Sequence, residues 1–169
     1  MRNARTNIIS ARIIVMDKKC DACEFLSHPT PKTQILETEY WSIGLGNNHA
    51  YFGRAYVTLK KHKNSLSSLS NEEWSDFEEI VRKLEKAYKD AFGAEPLNWG
   101  CFMNHAFRTE PFNPHVHWHI FPRYKVAPVF DGTTFADPLF GNFYDNSAER
   151  IVSSETAERI ASKLRQQLS

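Results

Sequence analysis

Three of the seven histidines lie within five residues, at positions 115, 117 and 119 of the stretch PHVHWHIF (114–121). Pro114 and Pro122 leave little room for a helix, and the large apolar residues between the histidines favour a β-strand. Because side chains alternate between the two faces of a strand, the imidazoles project from one face and Val116, Trp118 and Ile120 from the other. The pattern predicts that one face packs and the other does chemistry.

Three imidazoles on one face suit two kinds of chemistry: ligation of a metal ion, or a nucleophilic imidazole with a neighbour that donates hydrogen bonds to a negatively charged substrate. Three ligands from one short strand seldom converge on a tetrahedral ion. A nucleophile needs only one neutral ring whose tautomer is fixed by a hydrogen bond at its other nitrogen. The alternative is a core strand whose histidines are hydrogen-bonded and have no functional role. The regular spacing of the histidines, at every second residue, argues against it.

The rest of the chain predicts the elements that hold this strand. Alternating apolar, β-branched and aromatic residues indicate four strands, over 35–46, 51–60, 97–105 and 115–121. Ser70 and Glu73 form a capping box at the start of a helix over 71–92, and Gly93 ends it. A second helix covers about 154–168. The order β, β, α, β, β, α predicts an α+β fold with an antiparallel sheet.

The long helix has a broad apolar face that is suited to lie on a sheet. The residues of that face recur at helical spacing: Trp74, Phe77, Ile80, Val81, Leu84, Tyr88, Ala91 and Phe92.

Length and charge restrict the classes of protein and partner. A chain of 169 residues fits one domain with appendages, and a formal net charge of +1 favours neither a nucleic acid nor a membrane surface as partner. No stretch is apolar for long enough to span a membrane, and we expect a cytoplasmic protein. Three cysteines without an export signal argue against a disulfide framework. Cys20 and Cys23 instead have the spacing of two metal ligands.

The segment HVHWHIF matches, at all seven positions, the motif of the histidine-triad (HIT) superfamily: His, apolar, His, apolar, His, apolar, apolar. GRAYVTLKKH (53–62) and FMNHAF resemble two further segments of that superfamily, so that the resemblance covers roughly residues 35–124. It implies a five-stranded antiparallel sheet with one long helix and a C-terminal helix, usually dimerised into a ten-stranded sheet. It divides the chain into an N-terminal arm (1–34), a HIT core (35–124) and a C-terminal extension (125–169).

The resemblance also implies an activity, which is hydrolysis of a phosphoanhydride or phosphoramidate at the α-phosphate of a dinucleoside polyphosphate or nucleotide conjugate. The counterpart of the family's nucleophile is His117, which would form a nucleotidyl-imidazole that water cleaves. His119 would bond the phosphate oxygens or assist the leaving group, and Asn104 falls where the family has a Gln or Asn near the scissile bridge. A nucleotidyl transferase or phosphorylase, and a non-catalytic nucleotide- or zinc-binding module, are the alternatives.

Two family features are altered. The phosphate-binding loop before the triad reads TEPFNP, in which only Asn113 is a candidate replacement, and Asn47 is the candidate for the ribose-binding residue of the first hairpin. Among the basic residues, we single out Arg54 as a candidate phosphate-binding residue because it follows Gly53 at the start of a strand. His28, His49 and His105 carry no predicted role, although His105 follows Asn104 directly.

Some branches of the superfamily pair a Cys-x-x-Cys with the histidine of the Lys-Lys-His segment and with the first triad histidine. By this resemblance Cys20, Cys23, His62 and His115 form a structural zinc site, and the four ligands leave no open coordination position. We expect no organic cofactor. The aromatic-rich stretch of the extension is suited to covering the active site, gating it or joining a dimer.

Overall fold

The computed structural model describes residues 20–28, 30–108, 110–145 and 147–169, so residues 1–19 of the predicted N-terminal arm lie outside the described residues. The helices are α1 (Asp21–Ser27), α2 (Asn71–Phe92) and α3 (Ser154–Leu168), and short 3-10 turns cover Leu66–Ser68 and Asn104–Phe107. The strands are β1 (Gln34–Glu37), β2 (Trp41–Leu45), β3 (Ala55–Leu59), β4 (Leu97–Gly100), β5 (His117–Pro122), β6 (Val129–Phe130) and β7 (Thr133–Thr134).

The first five strands form one antiparallel sheet in the order β1-β2-β3-β5-β4, which confirms the predicted α+β fold with five strands. Thr58 pairs with His117 and Tyr56 with His119 across β3 and β5. Residues opposite each other in a ladder share a face, so these four side chains lie on one face of the sheet. The alternate face carries Val57 and Ile120, which are fully buried in the core.

The two long helices cover the core face. Ser70 and Glu73 form the predicted capping box at the start of α2, and Gly93 ends the helix in the left-handed conformation with φ 72°. Most of the predicted apolar face is buried, including Phe77, Ile80 and Leu84. Burial of such a side chain stabilises a fold by about 1.5–3 kcal/mol. The helix thus holds the sheet rigid behind the histidines.

Trp74 was predicted on the buried face of α2, and this is wrong because the side chain is 38% exposed. Glu73 takes the buried position instead. Its carboxylate accepts a hydrogen bond from the Ser70 backbone N–H (2.7 Å) and pairs with the Lys63 ammonium (2.5 Å). The cap and the ion pair therefore decide which residue of the first turn faces inward.

All four predicted strand boundaries need correction, and the strand predicted over 51–60 is the shorter β3. The strand predicted over 35–46 is two strands, β1 and β2, joined by a tight turn over 38–40 and paired with each other. The strand predicted over 97–105 ends at Gly100, and its last residues belong to a 3-10 turn. The strand predicted over 115–121 begins at His117, so His115 lies before it. The short hairpin β6–β7 and helix α1 are additions to the predicted elements.

The part of the C-terminal extension before α3 packs against the end of β5 and the turn after β2. Its Asp137 forms a buried ion pair with Arg123 (2.7 Å), and Tyr144 stacks on Phe121 with ring centroids 4.3 Å apart. Asn48 bonds the Ala148 carbonyl (2.8 Å), which ties the extension to the turn after β2. None of the helices in the described part of the chain has the length and apolar character to cross a membrane.

Candidate active site and metal cluster

Two cavities meet at His117, on the face of the sheet opposite the core. The larger, of about 420 Å³, is bordered among others by Phe25, Asn47 and Phe102. The smaller, of about 280 Å³, is bordered among others by Met103 and Asn113. Four residues border both cavities and therefore mark their junction: Asp21, Ala22, His105 and His117.

The ring of His117 is held in one tautomer. Its Nδ1 lies 2.8 Å from the carbonyl oxygen of His115, which can only accept a hydrogen bond. The ring proton of neutral His117 therefore lies on Nδ1, and the lone pair lies on Nε2. Because this ring borders both cavities, an unprotonated nitrogen is available where the two cavities join.

His119 is held in the opposite tautomer. The Arg54 guanidinium donates to Nδ1 of His119 over 3.3 Å, so the ring proton of neutral His119 lies on Nε2. Nε2 of His119 is 3.1 Å from Nε2 of His117. The direction of donation thus runs from Arg54 to His119 to the lone pair of His117.

Aromatic rings enclose His119. Tyr56 meets it edge-on at 4.9 Å between ring centroids, Phe102 lies at 5.4 Å, and Phe121 is nearly parallel to it at 6.0 Å. Burial is the largest cause that lowers the pKa of His119 to about 4, and the charges of His117 and Arg54 act in the same direction. His119 is therefore a neutral hydrogen-bond donor near neutral pH.

Cys20, Cys23, His62 and His115 form a cluster whose ligand atoms all lie within 4.8 Å of one another. Nδ1 of His115 is 3.3 Å from Sγ of Cys20 and 3.4 Å from Sγ of Cys23. Nδ1 of His62 is 3.4 Å from Sγ of Cys23. Ligand atoms around a tetrahedral ion with zinc-like bond lengths are about 3.3–3.8 Å apart. The cluster can therefore hold a metal ion.

His115 is oriented for this role by the other side of its ring. Its Nε2 lies 2.7 Å from the Leu59 carbonyl oxygen, so the ring proton lies on Nε2 and the lone pair of Nδ1 points at the cysteines. Burial lowers the pKa of His115, which keeps the ring neutral as a metal ligand must be. A carbonyl that fixes the tautomer of a ligating histidine is a common feature of metal sites.

The cysteines also place one wall of the larger cavity. Helix α1 starts directly after Cys20 and contains Cys23, and none of its residues is buried. Its Asp21, Ala22 and Phe25 nevertheless border the larger cavity. The helix has little core packing of its own, and the two cysteines contact His62 and His115 at its start.

The structure brings most of the predicted site residues together. His117 and His119 are in contact, and the four predicted metal ligands are clustered. Asn47 borders the larger cavity and Asn113 the smaller, so they lie on different sides of His117. Arg54 borders neither cavity and instead donates to His119.

Asn104 does not border either cavity. It starts the 3-10 turn Asn104–Phe107, and the next residue, His105, borders both cavities in its place. His105 was assigned no role from the sequence, although its position after Asn104 was a signal. Asp21 was also not predicted from the sequence. The signal for it was its position next to Cys20, which is a predicted ligand of a metal cluster beside the predicted nucleophile.

The match to the HIT domain model covers residues 28–126. The protein "hit" of Bacillus subtilis is 25% identical over 147 residues, which is 86% of this chain and 97% of that protein. The adenosine monophosphoramidase hnt1 of Schizosaccharomyces pombe is 28% identical over 62% of this chain and 74% of its own length. The solved structure of a zinc-bound histidine triad protein from Mycobacterium smegmatis has a TM-score of 0.60 at 23% identity, over 88% of this chain and 92% of that one. With the fold, the paired histidines and a domain match over more than half of its length, the chain belongs to the HIT-domain family.

Proposed function

We propose that the protein hydrolyses nucleotide conjugates at the α-phosphate through a covalent nucleotidyl group on His117. The observation that supports this best is the unprotonated Nε2 of His117 at the junction of two cavities, with Nδ1 fixed by the His115 carbonyl. A substrate that spans the junction would place its nucleoside in one cavity, its leaving group in the other, and phosphorus beside Nε2. Such positioning supplies much of the catalysis of phosphoryl transfer.

The reaction has two displacements. Nε2 of His117 forms a bond to phosphorus while the bond from phosphorus to the leaving group breaks. Water then attacks the same phosphorus, the bond to Nε2 breaks, and a nucleoside monophosphate is released. The Nε2 proton of His119, which points at His117 in the free protein, can bond a phosphate oxygen as negative charge develops there.

We assign the nucleoside to the larger cavity. Phe25, Phe102 and Tyr56 give this cavity aromatic surface for a base, and Asn47 lies within it as a hydrogen-bonding partner for a ribose. Asn113 in the smaller cavity is then placed beside the leaving group or its phosphate. The name of the relative hnt1 includes a phosphoramidase activity, which supports including phosphoramidates among the substrates.

We further propose that the metal in the Cys20, Cys23, His62 and His115 cluster is zinc and that its role is structural. Two thiolates and two imidazoles are a ligand set that favours zinc, and four protein ligands complete its tetrahedral coordination. In this proposal the ion fixes α1 and the backbone at His115, whose carbonyl in turn orients His117. The ion takes no part in the displacement.

We also propose that two copies pair through β4. This strand is at the end of the sheet and is paired only with β5 among the described strands, which leaves its outer edge available to a second strand. Light scattering coupled to gel filtration tests this pairing, since a dimer has twice the 19.5 kDa mass of one chain.

The covalent intermediate is the direct test of the proposed function. The protein is mixed with an adenosine phosphoramidate or with a dinucleoside polyphosphate and quenched in the first turnover. Intact-mass spectrometry should detect one added nucleotidyl group, and peptide mapping should place it on His117. Addition of the nucleotidyl group to another residue would contradict the proposal. A burst of product with no adduct on the protein would also contradict it. Transfer of the nucleotidyl group to inorganic phosphate or a sugar phosphate, in preference to water, would indicate a transferase.

A further inference from the structure

We propose that Asp21 determines substrate specificity by favouring a leaving group with positive charge, such as an amine, over an anionic leaving group such as a polyphosphate. The inference rests on the proposed function. Asp21 is one of the four residues that border both cavities, together with the nucleophile His117. Its side chain is exposed, and among the described residues it has neither an ion-pair nor a hydrogen-bond partner. Its charge is therefore available to a bound substrate.

The charged residues around the two cavities also favour a cationic leaving group. Of the described residues that border the two cavities, none is a lysine or an arginine, and Asp21 is the one that carries a carboxylate. The nearby guanidinium of Arg54 lies outside both cavities and is bonded to His119. Proteins that bind polyphosphates usually surround them with Lys, Arg or metal ions. A polyphosphate at this junction would instead meet the carboxylate of Asp21, which repels it.

Cleavage of a phosphoramidate produces positive charge at the same place. Nε2 of His117 bonds to phosphorus and the P–N bond breaks as the nitrogen takes up protons and leaves as an ammonium ion. Water then cleaves the bond between phosphorus and Nε2. Over both steps the two protons of that water end on the nitrogen, and the phosphate product gains one negative charge. A carboxylate beside the departing nitrogen stabilises this distribution of charge.

Three matched substrates isolate the charge of the leaving group. They are adenosine phosphoramidates of butylamine, diaminobutane and aminobutyrate, whose leaving groups have similar chain lengths. The far end of the leaving group is neutral in the first, cationic in the second and anionic in the third. At low ionic strength the wild-type protein should show a kcat/KM about tenfold higher for the cationic than for the anionic substrate. In Asp21→Asn the ratio should fall to within about twofold, and in Asp21→Lys it should reverse.

Glu24→Gln is the matched control, since Glu24 is another exposed carboxylate of α1 and borders neither cavity. It should keep the wild-type ratio. Metal content is measured for every variant because Asp21 adjoins Cys20, and a variant that retains its metal but loses the ratio supports a direct effect of charge. A wild-type protein that cleaves all three substrates equally, or an Asp21→Asn protein that keeps the ratio, would overturn the inference and leave the proposed function intact. Absence of turnover on all three substrates without a nucleotidyl adduct would overturn the proposed function and the inference with it.

Discussion

The Nε2 atoms of His117 and His119 lie 3.1 Å apart, and the fixed tautomers of the two rings make His119 the donor and His117 the acceptor. Because burial lowers the pKa of His119 to about 4, this ring is neutral near neutral pH and does not add a second positive charge to the pair. In this contact the lone pair on Nε2 of His117 accepts a hydrogen bond from Nε2–H of His119. A phosphate oxygen could accept that hydrogen bond in place of His117. The two histidines therefore differ in their hydrogen-bonding role although they lie on the same face of one strand.

Replacement of the nucleophile should abolish turnover without unfolding the protein. For His117→Ala we expect kcat/KM to fall by about 10⁴-fold or more, because the variant lacks the proposed nucleophile of the covalent step. Steady-state hydrolysis is the measurement, with circular dichroism and metal analysis on the same samples. His28→Ala, which removes an exposed histidine at the end of α1, should retain activity. Substantial turnover by His117→Ala would rule out the covalent mechanism.

Arg54 should act through His119. For Arg54→Met we expect kcat to fall by about 10- to 100-fold with little change in KM, because the tautomer of His119 is no longer fixed. The pKa of His119 should rise, since the positive charge of Arg54 contributes to lowering it. Ring-nitrogen NMR across a pH series reports both the tautomer and the pKa.

Two further variants distinguish this role from a loss of folding. Arg54→Lys retains a donor and a charge and should recover part of the activity. Arg82→Met removes an exposed arginine from α2 and should change neither activity nor the His119 spectrum. If Arg54→Met raises KM and leaves kcat unchanged, Arg54 binds substrate directly instead.

Removal of the proposed metal should weaken nucleotide binding while the core stays folded. Cys23→Ser, or chelation of the wild-type protein, should lower the affinity for adenosine monophosphate by about tenfold, since helix α1 borders the larger cavity. Titration calorimetry measures the affinity, and hydrogen exchange should increase over residues 20–28. Cys101→Ser is the control for metal content because Cys101 lies outside the cluster. Unchanged exchange over 20–28 in the metal-free protein would show that the metal does not hold this wall.

Burial of His49 should make stability depend on pH. The side chain is 1% exposed, and burial lowers its pKa from 6.5 to about 4. The folded state thus binds fewer protons than the unfolded state between these values, so stability is fully present above about pH 6.5 and is lost as the pH falls toward 4. We expect His49 to account for a loss of about 2 kcal/mol between about pH 7 and 5.

Urea unfolding at both pH values measures this loss. His49→Gln should remove the contribution of His49 and leave that of His119, which has the same sign. His28→Gln, which replaces an exposed histidine, is the matched control variant. Equal pH dependence in wild type and His49→Gln would mean that His49 does not carry the effect.

The sequence by itself was sufficient for the local features. Alternation from His117 onward predicted which side chains of the strand share a face, and the capping box with Gly93 predicted the bounds of helix α2. These patterns depend on strand and helix periodicity and on hydrogen bonds between near neighbours, which are written in consecutive residues. The resemblance of the triad and of the Cys-x-x-Cys then predicted the clustering of four metal ligands that are far apart in the chain.

The tertiary structure decided what depends on distant contacts. Whether Trp74 or Glu73 is buried depends on Lys63. Whether Asn104 or His105 borders the two cavities depends on how the turn after β4 packs. Arg54 reaches His119 because β3 and β5 are neighbours in the sheet, which places its guanidinium at a ring nitrogen instead of in a cavity. The position of Asp21 at the junction follows from the attachment of α1 at Cys20. Each of these outcomes is set by contacts between segments that no local pattern relates, and only the folded chain brings them together.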